Sequence, residues 1–525
     1  MNFIDYSILI IYLVFTLGLG AWIGRRQGNT EDYFLAGRRM KWWPVAISLF
    51  ASLFSAISYI AMPGEAYNHG CNLALGGLTG LIALPVMLFI FLKFFYNMRL
   101  FTINEYLEKR FDSSIRLLVG ALYMILRFAY LGVMFYATGL LLEGALGWPP
   151  WMSILLIGVF TTIYTYLGGM EAIIWTDVAQ FMVMMGGVAM IIGFVVWQMP
   201  GGIAEIWEFA AANSRTFDLS ISSGVWSWDL AQRISFWMIL LSVPFAMITP
   251  ATDQGNLQRC MTCRNFKEVV RAVSASTLAN LPICLLFYFA GLCIFAYFKS
   301  IHPELDDAAR DGDTAFVYFV SNVLPGGLRG LLVAGILAAV MSSVDSVINS
   351  IAAVFIKDLY QRKLVPDRDE KHYIKASGLA SLAIGLAASL VGLVVLLIFT
   401  DRDIPLVEVT NVSLGILGAF STGIFITALL TRRTNATGIW IALAICVPVT
   451  LAVTIFGYLL KPREERIGFL FLITLPVFLE IAVAYAASFF VGRNSEESQR
   501  YVIWSRWRKN RGRKIHKHAN YCSGG

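Results

Sequence analysis

The residues best suited to chemistry lie together in Met341–Ser350, MSSVDSVINS, inside an apolar run from about Gly327 to Phe355. One carboxylate, Asp345, and four serines stand where the flanking residues are Val, Leu and Ala. On a helix, at about 100° per residue, Ser342, Asp345, Ser346 and Asn349 share one face, with Ser343 beside them. Hydroxyl and carboxylate oxygens are hard ligands of the kind alkali cations take. Polar groups in hydrocarbon must face another helix, water or an ion. The stripe therefore reads as a cation site. Asp345, with no Lys or Arg near it in the chain, either binds the cation, titrates, or is held by neighbouring hydroxyls as a packing element.

Other polar residues interrupt apolar runs. Asp177, in YTYLGGMEAIIWTDVAQ, is either a carboxylate stabilised at a helix N-terminus or an ion ligand facing the serine stripe. Arg127 is either an anion site or a side chain that snorkels or pairs with a carboxylate. Glu408 and Asn411 line either a solute cavity or an outer vestibule. Asn68 and His69, after Pro63-Gly64, are pocket candidates or solvated loop residues. Glu480 reads as a packing or lipid-edge residue. Cys260 and Cys263 form a CxxC with no second pair and no suitably spaced His, which argues against a metal site. No Walker loop, nucleophile elbow, zinc motif or haem pair is present, so an ion gradient rather than ATP is the expected energy source, and no enzymatic activity is expected.

The elements that must position these residues are membrane helices. Of 525 residues, 58% are apolar and 14% charged, against about 25% charged in a soluble domain, and the mean hydropathy is +0.67. The net charge of +7 falls largely after Arg493 and points to a cytoplasmic membrane surface, not to nucleic acid. Thirteen spans are expected, at about 4–25, 43–66, 72–97, 116–146, 150–168, 173–198, 233–255, 271–298, 327–355, 376–399, 405–431, 436–460 and 467–492. Alternate loops rich in Lys and Arg, including Arg259, Arg264 and Lys267, place the C-terminus in the cytoplasm of a plasma membrane and the N-terminus outside; Lys461, Arg463 and Arg466 disagree. The second span, with Ser48, Ser52, Ser55, Ser58 and Pro63-Gly64, and the seventh, with Pro244 and Pro250, look like broken helices. Such a pair, at matching positions of two halves, points to a transporter binding site.

The stretches DYFLAGRRM, FTINEYLEKRFD, IYTYLGGMEAIIWTDVAQ, DQGNLQRCMT, MSSVDSVINSIAAVFIKDLY and TRRTNATG, in this order from Asp32 to Gly438, resemble the sodium:solute symporter family. The resemblance implies an all-α polytopic membrane protein with a LeuT-type core of two inverted five-helix repeats. One helix and a cytoplasmic loop precede the core (1–42), the repeats span 43–198 and 233–431, two helices follow (436–492), and a basic tail closes the chain (493–525). The function implied is sodium-coupled import of a small organic solute (a sugar, a sialate or a monocarboxylate) by alternating access. The family's main sodium site corresponds here to the carbonyls of Ala51, Phe54 and Ala339 and the hydroxyls of Ser342 and Ser343. A second site corresponds to Asp177, Ser342 and Ser346, with Asp345 where several members have Ser or Thr. Two neighbouring carboxylates repel unless a cation lies between them or one is protonated, so two Na⁺ or one Na⁺ with a proton are both open. Ser55 and Ser58 match pocket positions, and Tyr130 stands where sialate carriers have an arginine. Proton coupling and a transporter-like sensor are the rival readings. The solute and the bilayer are the expected partners, and a monomer is compatible with the sequence.

Overall fold

The computed structural model describes residues 1–25, 27–54, 56–220, 225–228, 236–308, 311–399, 420–460, 469–492, 494–503 and 505. Among these the chain is helical, with no strand beyond one isolated bridge between Met40 and Cys263. The helices that matter for the site are α1 (Phe3–Gly24), α2 (Trp42–Ala51), α3 (Ala56–His69), α4 (Asn72–Tyr96), α5 (Ser113–Leu146), α6 (Pro150–Gln198) and α7 (Phe236–Thr252). They continue with α8 (Gln254–Thr262), α9 (Phe266–Ala296), α10 (Leu328–Val354), α11 (Glu370–Phe399), α12 (Phe420–Leu430), α13 (Ala436–Thr454) and α14 (Phe469–Ala487). Eight helical stretches among the described residues are long and apolar enough to cross a membrane.

Local sequence explains many of the boundaries. Asn2, Asp112, Asn265 and Asn435 each accept a main-chain N–H from the first turn of the helix that follows, at α1, α5, α9 and α13. The expected fifth and sixth spans form the single long element α6, interrupted at Gly169, whose φ of +55° and ψ of −158° suit only glycine. A Cβ there would stand 2.5 Å from the Tyr33 carbonyl.

Both interrupted spans are broken, but not at their prolines. The backbone is helical through Pro63 in α3 and through Pro244 and Pro250 in α7. The breaks fall at Ser52–Phe54, before α3, and at Asp253, whose extended backbone (φ −75°, ψ 127°) separates α7 from α8. A proline removes one donor yet keeps a helical φ, so the chain carries on past it. Asp253 ends α7 because its carboxylate caps α8 at Asn256 N, 3.0 Å away.

Helix α10 stands at the centre. In its most apolar stretch 94% of residues are buried, against 33% in α1. The serine stripe is therefore not one wet face on an otherwise lipid-facing helix, since every residue from Leu332 to Val354 is buried. An all-round apolar helix behaves this way when other helices surround it. It packs most extensively against α6, and α6 in turn carries α1 and α11.

These contacts run over small residues, which allow close helix approach in a membrane. A Cβ on Gly24 would stand 1.9 Å from the Leu167 carbonyl oxygen, and one on Gly158 would stand 2.0 Å from the Ser389 hydroxyl. Gly18, on α1, has open space around it. Gly24→Ala is expected to lower the melting temperature of the purified protein, because overpacking costs about 1–3 kcal/mol. Gly18→Ala should leave it unchanged. Equal melting of the two variants would count against this packing.

Candidate functional site

The site begins where α2 ends. Two tight turns follow Ala51, with Leu53 N bonding the Phe50 carbonyl at 3.0 Å and Phe54 N bonding the Ala51 carbonyl at 3.1 Å. Across the break lie Ser342 and Ser343 of α10. The Ser342 hydroxyl is 3.2 Å from the Ala51 carbonyl oxygen and 3.1 Å from that of Ala339. The Ser343 hydroxyl is 3.3 Å from the Phe54 carbonyl oxygen and 3.2 Å from that of Ala339. All five expected oxygens meet in one buried cluster. A serine hydroxyl has one hydrogen to donate, yet each of these two lies within hydrogen-bonding distance of two carbonyls. Beyond the Phe54 N–H on the Ala51 carbonyl and the main-chain bonds inside α10, these five oxygens share two hydroxyl hydrogens, which leaves more lone pairs than hydrogens in the cluster.

One turn further along α10 lies a charged cluster. The Asp177 Oδ2 accepts from the Ser48 hydroxyl at 2.5 Å and is 3.3 Å from an Arg259 guanidinium nitrogen. Arg259 Nε donates to Ser48 at 2.7 Å, and its terminal nitrogen also donates to the Ser346 hydroxyl. Asp345 accepts from the Tyr164 hydroxyl at 2.7 Å and the Ser346 hydroxyl at 3.0 Å. Ser346 is also 2.6 Å from the Ser342 carbonyl oxygen, which joins this cluster to the first. Gln180 donates to Tyr164 at 3.4 Å. Asp177 Oδ1 and Gln180 Oε1, both buried, have no hydrogen-bond partner.

Arg259 corrects the sequence reading. Counted there among cytoplasmic loop charges, it is 1% exposed, beside an Asp177 that is fully buried. The expected second-site residues meet with this guanidinium among them: Asp177 reaches Ser346 through Arg259. Ser48, Tyr164, Gln180 and Arg259 were not assigned to the site from sequence. The available signal was that DQGNLQRCMT directly follows the break in the seventh span, so α8 starts inside the protein.

Arg127 pairs with Asp253, and its guanidinium lies 5.3 Å from the ring centroid of Tyr123 and 5.9 Å from that of Tyr130. Tyr123 donates to Ser350 at 2.8 Å. The pair is part-exposed, at 23% and 16%, unlike the fully buried Arg259 and Asp177. Asn68 lies away from this group; its side-chain oxygen accepts from Gly312 N at 2.9 Å, and its carbonyl accepts from Arg215. Ser58 is half-buried on α3. Ser55, Glu408 and Asn411 lie outside the described residues. Cys260 and Cys263 are buried free thiols. A cavity of about 170 Å³ lies beside the break, between Leu49 and Leu53, Met87 of α4, Pro250 and Asn256, and Asn280 of α9.

A bundle of membrane-length helices, with a helix broken inside it to present main-chain oxygens and buried carboxylates alongside, defines a membrane carrier for a cation and a solute. The sodium:solute symporter family model matches residues 33–445, and the chain belongs to that family. The sodium/sialic acid symporter SiaT of Proteus mirabilis is 30% identical over 86% of this chain and 89% of its own. The human sodium-coupled monocarboxylate transporter 1 is 29% identical over 91% of this chain and 76% of its own. The solved substrate-bound, outward-open structure of a Na⁺-coupled sialic acid symporter superposes with a TM-score of 0.83 at 25% identity, covering 94% of this chain and 99% of that one. The chain is accordingly a Na⁺-coupled symporter of a small solute, and the family consists of transporters, not enzymes.

Breaking a buried ion pair by removing one partner costs about 3–5 kcal/mol, because the other charge is left alone. Asp177→Asn and Arg259→Gln should each lower thermal stability strongly, and the double variant should lose less than the sum of the two. Strict additivity in this cycle would show that the pair does not act as a unit.

Proposed function

We propose that the chain imports a small organic solute with sodium by alternating access, and that Na⁺ binds at the carbonyls of Ala51, Phe54 and Ala339 and the hydroxyls of Ser342 and Ser343. The excess of lone pairs over hydrogens in that cluster is the observation that carries the reading. Carbonyls and hydroxyls replace the hydration shell of Na⁺ without holding it permanently, as a transported ion requires. Sodium there bridges the α2–α3 break to α10 and so favours the arrangement in which the two are held together. Coupling follows if the other arrangement binds sodium less well.

Thirteen crossings account for the chain in this reading. They are the eight long stretches, with α6 counted as two about Gly169, plus α2–α3, α7, α12 and α14. The core is two inverted repeats of the LeuT type, 43–198 and 233–431, with 1–42 before it and 436–492 and the basic tail 493–525 after it. The break before α3 and the break before α8 lie five spans apart in this count, as such repeats require. Charge asymmetry puts the N-terminus outside the plasma membrane and the C-terminus in the cytoplasm. A monomer is compatible with this reading, and no nucleic-acid partner is invoked.

The second cation position involves Asp177, Ser342, Asp345 and Ser346 together with Arg259. Two carboxylates against one guanidinium leave a charge of −1, which matches one further monovalent cation, Na⁺ or a proton. The rival reading, proton coupling, draws on the same pair of acids. The solute is an organic acid, as the named solutes of SiaT and the monocarboxylate transporter suggest. In this reading its compartment adjoins Ser58 and Tyr130; Asn68 is engaged elsewhere, by Gly312 and Arg215, and Ser55 and Asn411 lie outside the described residues.

Ser343→Ala removes one of five oxygens. It should raise the sodium concentration for half-maximal uptake by about tenfold, a loss of about 1.4 kcal/mol, with little change in expression. An unchanged sodium curve would move the site elsewhere. Asp345→Asn should alter the sodium Hill coefficient or its pH dependence; if neither moves, the carboxylate is structural. A thermal-shift screen of sialic acid, lactate, sugars and amino acids, with and without Na⁺, identifies the solute class as the one that stabilises only when sodium is present. Proteoliposome uptake that ignores a sodium gradient would sink sodium coupling, and uptake that survives collapse of the pH gradient would remove the proton reading.

A further inference from the structure

The helices that follow the repeats contain an ionisable group that the sodium site does not use. Glu480, on α14, is fully buried, and neither carboxyl oxygen has a hydrogen-bond partner. Its Oε2 stands 1.9 Å from where a Cβ on Gly423 would lie, so the carboxyl rests on the backbone of α12 in space that only glycine leaves open. Among the described residues, α12 and α13 face it. From α13 the titratable group beside it is the buried Cys446 thiol. On α12, Thr427 lies one turn from Gly423, and its own hydroxyl is without a hydrogen-bond partner. Among the described residues, Glu480 makes no ion pair.

The structure assigns to Glu480 a proton-binding site within the membrane, remote from the sodium core: a carboxylic acid that keeps its proton while α14 is docked on α12. A carboxylate with no partner in an apolar interior is far costlier than the neutral acid, and such a group neutralises. Sodium does not satisfy it, because Na⁺ needs several oxygens in place of its hydration shell, and here the Oε2 side is closed by Gly423. The proton thus gives the last two helices a neutral dock on the core. The site is independent of the proposed sodium ligands.

The full-length protein in liposomes is compared with Glu480→Gln, which has the shape of the neutral acid and should melt with the wild type. The infrared difference spectrum between the two reads the carboxyl directly and needs no reagent to enter the closed interior. Loss of a protonated-carboxyl C=O stretch, equal with and without Na⁺, is expected. Loss of a carboxylate stretch instead, or a carboxyl signal that changes when Na⁺ is added, overturns the proposal.

Discussion

The structure depends on how the oxygens at the α2–α3 break are satisfied. A helix inside a membrane hides its carbonyls in its own hydrogen bonds, and breaking it frees them where no bulk water can pair with them. Here the Ala51 and Phe54 carbonyls meet the hydroxyls of Ser342 and Ser343. Two hydroxyls can donate only two hydrogens. The cluster therefore remains rich in lone pairs. This demands a partner helix fixed to within a fraction of an ångström. The rigidity comes from the complete burial of α10 and from the glycine-lined contacts of α6 with α1 and α11.

The second constraint is charge. Asp177 and Asp345 are both fully buried, and two carboxylates in a low-dielectric interior need compensation. The compensation comes from Arg259 on α8, which begins after the break in the seventh span. The guanidinium holds Asp177 directly and reaches Asp345 through Ser346. Both clusters hang on consecutive turns of α10, and the Ser346 hydroxyl lies within bonding distance of the Ser342 carbonyl. A change of charge in one cluster therefore bears on the geometry of the other through Ser346.

Much of this was legible in the chain. A run of hydroxyls and one carboxylate in an apolar helix stands out because polar groups there need a reason. The interruption of two spans was also legible, but its position was not. Prolines mark where a helix is weakened, whereas the breaks came where main-chain groups found other partners, at Ser52–Phe54 and at Asp253. For Arg127 the sequence allows an anion site, snorkelling or a carboxylate partner, and the structure shows the last, with Asp253. Asn68 is tied to Gly312, between α9 and α10, a contact between residues 244 positions apart that no local pattern encodes.

Composition and periodicity by themselves determined that this chain is a bundle of membrane helices, and residue types in Met341–Ser350 determined that one of them carries hard oxygen ligands. These are properties of single segments and of the solvent each must face. The carbonyls of Ala51, Phe54 and Ala339 came from the family resemblance; only the tertiary structure decided that they meet Ser342 and Ser343 in one buried cluster, that α10 is buried on every side, and that Arg259 is an interior counter-charge. Each of those facts is a meeting of segments distant in sequence. A cation's position relative to a carboxylate depends on packing of backbones, to which the order of residue types along one helix is blind.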